Sequence, residues 1–318
     1  MDAKSISVQT RTKHRYSQPE VLRCLKRDRV LWMLVLPCIA YFITFCYIPM
    51  GGLTMAFQNY RPVKGFFGSE WVGLKHFQQF FTSPFFPRLV RNTILISVYG
   101  LLWGFPIPIL FALFLNELRP GIFKKTVQTV SYMPHFISTV VLVGIVQSFL
   151  SPYEGIVNTM ITSLGGQSIN FLAEPGWFRT IYIGSGIWQN FGYNSIIYLS
   201  AISAVDPQLY EAARIDGAKR FQIMFRITLP CILPTAIIML ILNCGSIMNV
   251  GFEKINLLYS PATYETADVI STYVYRQGIV GAQWSYSTAV GMFNSVINLL
   301  LIIVVNRISR KLSDISLW

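Results

Sequence analysis

Six long stretches of the chain contain no Asp, Glu, Lys or Arg: 30–57, 92–116, 126–153, 180–205, 227–252 and 277–306. A helix that crosses the roughly 30 Å hydrocarbon core of a bilayer needs about 20 predominantly apolar residues, and every stretch reaches that length. The pattern predicts an all-α membrane protein with six transmembrane helices. Between the windows the charges are bunched, and the last large bunch, 206–230, separates the fourth window from the fifth.

Composition supports this reading. At 318 residues, 53% apolar, 13% charged and a mean hydropathy of +0.48, the chain is too apolar for an ordinary soluble domain. The formal charge of +12 is explained by sidedness rather than by nucleic acid. An even number of spans puts both termini on one side, and Lys and Arg collect on the cytoplasmic side of membranes. With the N-terminus inside, the inner segments hold 18 of the 26 Lys and Arg residues. Both termini are therefore expected in the cytoplasm.

The organisation expected is a basic cytoplasmic arm (1–29), a first transmembrane helix (30–57) and an extracytoplasmic segment (58–91). A five-helix core (92–306) with a cytoplasmic loop at 206–230 and a cytoplasmic tail (307–318) follow. No cleavable signal is expected, since the first apolar run starts at residue 30 and is too long for one. In the extracytoplasmic segment, 70–81 reads as a short helix lying in the aromatic belt of the interface or as a protein-facing surface. Pro37, Pro49, Pro106, Pro108, Pro134, Pro230 and Pro234 fall in or at the ends of windows, where each removes a backbone donor and kinks the helix.

The chemistry that is missing narrows the function. No G-x-x-x-x-G-K-[ST] phosphate loop is present. No acid–base, nucleophile or carboxylate pair converges, so no catalytic residue is assigned. The five cysteines have no metal-ligand spacing, so neither a metal site nor a disulfide is expected. His135 is the only His, Asp, Glu, Lys or Arg inside a window. A lone histidine beside Pro134 is most simply a hydrogen-bonded structural residue, and a proton-coupled carrier needs more ionisable groups than this.

The windows do carry neutral polar and aromatic residues. Trp188, Gln189, Asn190, Tyr193 and Asn194 lie in the fourth, Asn243 and Asn249 in the fifth, and Asn294 and Asn298 in the sixth. Asn190 and Asn194, like Asn294 and Asn298, are spaced i,i+4 on one helical face. Two readings stand side by side: interhelical hydrogen bonds, or a sugar path in which amides meet hydroxyls and aromatic faces meet rings. On the second reading Trp188, Asn190, Tyr193, Asn194, Asn243, Asn294 and Asn298 are candidates for the substrate path.

The charged loop has helical grammar. Asp206-Pro207 reads as N-cap and first-turn proline, and Gly217 as the left-handed residue that ends the helix. Phe221, Met224, Phe225 and Thr228 then form an amphipathic face at i, i+3, i+4 and i+7. Ala212 and Ala213 leave one surface shallow, with Glu211, Arg214 and Asp216 around it, and such a helix suits docking into a groove of another protein. A solvated interfacial loop is the plainer alternative.

Glu211-Ala212-Ala213, three residues, Gly217, nine residues, Ile227-x-Leu229-Pro230 resembles the EAA signature of permease subunits of binding-protein-dependent ABC importers. From about residue 25 onward, NTILISVYGLLWGFPIPILFALFLNEL, YNSIIYLSAISAVDPQLYEAARIDGA and ATYETADVISTYVYRQG look like the carbohydrate-uptake branch of that family, and most like LplB-like oligosaccharide permeases of alginate or pectin type. The resemblance implies a type I importer permease fold in a bacterial cytoplasmic membrane. It implies as partners a second permease subunit, two ATPase subunits, an extracytoplasmic solute-binding protein, an oligosaccharide and membrane lipid, with no nucleic acid. ATP and Mg would be bound by the ATPase, leaving this chain without a cofactor. Glu211, Ala212, Ala213, Asp216 and Gly217 would form the ATPase-coupling helix. An ABC permease for another solute and a secondary carrier are the alternatives. Arg61, Lys64, Lys75, Arg88 and Arg91 against Glu70 on the outer side point to an acidic saccharide or partner, or to a generally basic protein.

Overall fold

The computed structural model describes residues 29–313; the readings made on 1–28 and 314–318 lie outside the described residues. The chain divides after Thr54 into two units. The first holds α1 (Arg29–Phe42), which runs on through a π turn, Ile43–Tyr47, and the short helix Ile48–Met50. Its large apolar side chains are exposed, the pattern of a helix whose solvent is lipid.

The second unit opens with an antiparallel pair, β1 (Gln58–Asn59) and β2 (Glu70–Trp71), which registers Gln58 with Trp71 and Asn59 with Glu70. The helix expected over 70–81 is therefore only half formed. Gly73, at φ +60°, turns the chain away from β2, and helix begins at α2 (Lys75–Phe81). Then α3 (Phe86–Gly104) and α4 (Pro106–Glu117) run on as one span of 32 residues. Pro106 stands at the first position of α4, where a missing N–H costs least.

The third window is sharply bent. From α5 (Ile122–Tyr132) the chain passes through a 3₁₀ turn, Met133–Phe136, into α6 (Thr139–Phe149), and the two arms meet at 102°. Pro134 lies in that turn, and Ser138 caps α6 by accepting from the Val141 N–H at 3.4 Å. After α7 (Ile156–Ser163) comes α8 (Pro175–Ser203), 29 residues long. The 206–230 loop supplies α9 (Pro207–Ile215) and α10 (Arg220–Ile223), and a π turn, Met224–Thr228, leads into α11 (Leu229–Gly245). The short helices α12 (Phe252–Leu258) and α13 (Ile270–Tyr275), with a single helical turn, Tyr264–Ala267, between them, precede the last long one, α14 (Trp284–Ser313). The window that begins at 277 thus starts too early: Arg276–Val280 is a π turn, and Ala282 at φ +52° breaks the path before α14.

Among the described residues four segments are long and apolar enough to cross a membrane: Arg29–Phe57, Phe86–Glu117, Arg220–Gly245 and Trp284–Lys311. The bent α5–α6 pair makes a fifth if it is one span. At about 1.5 Å per residue, α8 is about 43 Å long, yet it is too polar to join them.

Three apolar clusters hold the second unit together. One packs Ile109, Leu113, Tyr198, Ile202 and Ile232 from α4, α8 and α11 around Met224, so it reaches into the charged loop. Another joins α2, α3, α13 and α14 through Phe80, Leu89, Tyr273 and Val290. The third, with Ile96, Val143, Phe178 and Ile255, joins α3, α6, α8 and α12. Beside these last two lies Asp268, fully buried, which accepts from Arg276 at 2.7 Å and Arg88 at 3.2 Å and from the Thr272 hydroxyl at 2.9 Å.

Candidate functional site

A cavity of about 990 Å³ opens between α3, α4, α8, α11 and α12. Its size suits a ligand larger than a monosaccharide. The helix too polar to read as a lipid-facing span, α8, provides one wall: Tyr182, Gly186, Gln189, Asn190, Tyr193 and Asn194 all line it. Residues about one helical turn apart share a face, and here that face is turned to the cavity rather than to lipid.

Three of those side chains are anchored by the bend of the third window. Asn190 donates from Nδ2 to the Gly186 carbonyl at 2.9 Å, which turns its Oδ1 to His135 Nδ1 at 3.0 Å. His135 therefore carries its proton on Nδ1 when neutral. Its ring also stacks on Tyr193, with centroids 3.8 Å apart and planes 4° from parallel. Gln189 donates to the Ile137 carbonyl at 2.9 Å, so a carbonyl at the break finds a partner on α8. His135 sits at the joint and positions two cavity-lining residues.

The amides are distributed unevenly. Asn194 lines the cavity, and its side chain makes no hydrogen bond to another described residue. Asn243 lines it while donating back to the Met239 carbonyl at 2.7 Å. Asn294 and Asn298 do not line it. Both donate to Asn249 Oδ1 at 3.1 Å, and Asn298 Oδ1 accepts from the Met248 N–H at 3.0 Å. They hold the break after α11 in place, and Asn249 on that break faces the cavity. Trp188 is exposed and outside the lining, because it stands two positions from both Gly186 and Asn190 and so lies about 200° around the helix from them.

Lys254 on α12 is a cavity residue that sequence reasoning missed. Only 9% exposed, it donates to the Tyr182 carbonyl at 2.7 Å, and its Nζ lies 4.8 Å from the centre of the Tyr182 ring. Its place outside the apolar windows gave it the look of a surface charge. Burial pulls its ammonium down from the ordinary lysine range to about 8.

The charged loop forms a separate feature. Asp206 Oδ1 accepts from the Gln208 N–H at 2.9 Å and caps α9, with Pro207 next. At the other end Ala218 N–H reaches the Ala213 carbonyl at 2.9 Å and Gly217 N–H the Arg214 carbonyl at 3.1 Å, with Gly217 at φ +77°. That bond pair is a Schellman closure, which needs a left-handed residue. Ala213 is buried, whereas Leu209, Glu211, Ala212, Ile215 and Asp216 are exposed. Thr228 donates to the Tyr210 hydroxyl at 3.3 Å and ties α9 to the foot of α11. The expected face of Phe221, Met224, Phe225 and Thr228 is corrected. Ile223, Met224 and Thr228 are buried while Phe221 and Phe225 are exposed, because the π turn over 224–228 rotates the register relative to an ideal helix.

Residues 104–314 match the model of a family described as binding-protein-dependent transport system inner membrane component. A polygalacturonan/rhamnogalacturonan transport system permease protein, YteP, of Bacillus subtilis is 45% identical over 294 residues, covering 92% of each chain. Protein LplB of the same organism is 43% identical over 297 residues, covering 93% of each. Among solved structures, a chain of a bacterial ABC transporter involved in the import of the acidic polysaccharide alginate superposes with a TM-score of 0.86 at 47% identity, covering 92% of this chain and 99% of that one. A second structure, of a bacterial alginate ABC transporter in complex with an alginate pentasaccharide-bound periplasmic protein, gives a TM-score of 0.87 at 46% identity over 93% and 99% of the two chains.

Proposed function

This chain belongs to the binding-protein-dependent transport system inner membrane components, and from that premise we propose that it is the conduit subunit of an ATP-driven importer of oligosaccharides released from acidic polysaccharides. It is a multi-pass inner-membrane permease with the type I importer fold. The observation that carries the cargo is the agreement of relatives. Two permeases above 40% identity, one of them for polygalacturonan and rhamnogalacturonan, and two structures of bacterial alginate importers match almost the whole chain. A cavity of about 990 Å³ walled by amides and tyrosines fits a chain of sugar rings.

In this reading six spans cross the membrane, with α8 among them, and both termini are cytoplasmic. The domain plan is the one read from the sequence: arm 1–29, first span 30–57, outer segment 58–91, core 92–306 and tail 307–318. A solute-binding protein delivers the oligosaccharide from outside. A second permease completes the pathway, and two ATPase subunits bind the ATP and Mg, so this chain has neither cofactor nor catalytic centre. The exposed face of α9, Leu209, Glu211, Ala212 and Ile215 with Asp216, enters a cleft of the ATPase. Asn190, Tyr193, Asn194 and Asn243 meet the sugar directly. Trp188 is left to a lipid or subunit contact, and Asn294 and Asn298 act through Asn249.

Uptake into proteoliposomes containing the whole transporter, with its binding protein outside and ATP inside, tests the reading. Uronate oligomers are expected to accumulate in an ATP-dependent way. Accumulation of neutral oligosaccharides or a non-sugar solute with no uptake of uronates would overturn the cargo, and uptake without ATP would overturn the class.

A further inference from the structure

Among the described residues Glu253 and Lys254 are the only charged ones that line the cavity, and they differ in setting. Glu253 is exposed, whereas Lys254 is buried. Among the described residues no carboxylate lies within ion-pair distance of Lys254, and the ion pairs found there join Arg88 and Arg276 to Asp268. An ammonium has three N–H donors, and one is used by the Tyr182 carbonyl. The other two are left for the cavity. Removing a cation from water without a counter-ion costs several kcal/mol, so its presence at a cavity wall calls for a compensating anion.

The surroundings are shaped to hold this group. Gly186 on α8 lies directly beside it, and a Cβ at that position would stand 3.1 Å from Lys254 Nζ. The Tyr182 ring covers the ammonium on one side. We propose that Lys254 is the specificity-determining contact for a substrate carboxylate, a uronate group of the oligosaccharide, which becomes the counter-ion the protein itself withholds. Neutral Asn194 and Asn243 take sugar hydroxyls, and the lysine distinguishes a charged ring from an uncharged one. This inference rests on the oligosaccharide-import reading above and adds the residue that selects charge within it.

The ionisable groups around Lys254 are few. Tyr182 faces it from α8, Glu253 precedes it on α12, and Tyr275, the last residue of α13, packs on neighbouring Phe252 with centroids 5.0 Å apart. The helix packed against α12 on its other side, α6, contains no ionisable side chain. Lysine loses its charge as pH rises through about 8, whereas arginine stays charged throughout.

The test compares wild type, Lys254→Met and Lys254→Arg in the whole reconstituted transporter, with uptake of a uronate trisaccharide followed from pH 7 to 9. Methionine keeps the unbranched apolar stem and removes the charge. Uptake by wild type is expected to fall severalfold across this range, uptake by K254M to be at least about tenfold lower at pH 7, and K254R to retain uptake and lose the fall. Wild-type rates in K254M, K254R as impaired as K254M, or the same pH profile in K254R as in wild type would each overturn the assignment. If K254M fails to assemble, the K254R profile still decides. Wild-type transporter that carries neutral oligosaccharides and no uronate overturns the cargo reading itself, a result visible before any variant is compared.

Discussion

Gly192 shows how one missing methyl group decides where two helices meet. A Cβ there would collide with the backbone carbonyl of Ser131 on α5, which cannot swing aside as a side chain can. Gly184, two turns earlier on α8, has open space around it. Gly192→Ala is therefore expected to push α5 off α8, at the roughly 1–3 kcal/mol typical of overpacking, and to loosen the nearby His135–Tyr193 stack. Gly184→Ala should leave stability unchanged or raise it slightly, as alanine favours helix. Thermal unfolding of the purified transporter checks the pair: equal melting temperatures for the two variants would refute the close approach. The sequence contains both glycines in similar surroundings, and nothing local separates them. What distinguishes them is a backbone atom 61 residues away in the chain, and contacts of that kind are invisible to spacing. The same limit applied to Lys254, whose burial comes from α8. By contrast the i,i+4 amide pairs were legible, because their spacing is a property of one helix. Which pair faces a cavity and which ties helices together was not.

At the scale of elements, α9 and the foot of α11 act as one piece. Buried Ala213, Met224 in the α4–α8–α11 cluster and the Tyr210–Thr228 hydrogen bond join them, so a pull on α9 is delivered to α11. Gly217→Val places a β-branched residue at φ +77°, where left-handed backbone costs roughly 1–2 kcal/mol or more. In assembled transporter it is expected to cut substrate uptake at least about tenfold while ATP hydrolysis continues. Glu211→Ala, which removes an exposed charge and no internal contact, should uncouple similarly. Tyr210→Phe gives up one neutral hydrogen bond, worth about 1 kcal/mol, and should lower uptake only a few-fold. Uptake and hydrolysis that stay in the wild-type ratio in both Gly217→Val and Glu211→Ala would remove the coupling role. This loop was the most readable element in the chain, since N-cap, first-turn proline and C′ glycine are local chemistry. The segment beyond it was read wrongly in phase, because a π turn shifts a periodic pattern without leaving a residue signature. The 70–81 segment failed at Gly73 for a related reason: one left-handed glycine separates a strand from a helix.

For the whole molecule, the polar face of α8 creates a tension between hydropathy and topology. Four segments, or five with the bent pair, pass as spans by length and composition among the described residues, and α8 does not. Yet its residues Gln189, Asn190 and Asn194 face a cavity, and polar groups are tolerated at membrane depth when they line water or protein rather than lipid. Another face presents Trp177, Ile181 and Trp188, none of which lines the cavity. In the proposed reading a helix with this division spans as part of a bundle, and average hydropathy penalises it for the polar face it turns to the cavity. If α8 spans, its two ends lie on opposite sides. Single cysteines at Glu174, just before α8, and at Ser203, its last residue, in a background without the native cysteines, should react with a membrane-impermeant thiol reagent from opposite faces of oriented vesicles. Glu211→Cys should then share the side of Ser203→Cys and Lys64→Cys that of Glu174→Cys, which also gives the orientation of the loop against the β1–β2 hairpin. Labelling of Glu174→Cys and Ser203→Cys from the same face would make α8 a re-entrant element, leave an odd number of crossings, and separate the two termini across the membrane.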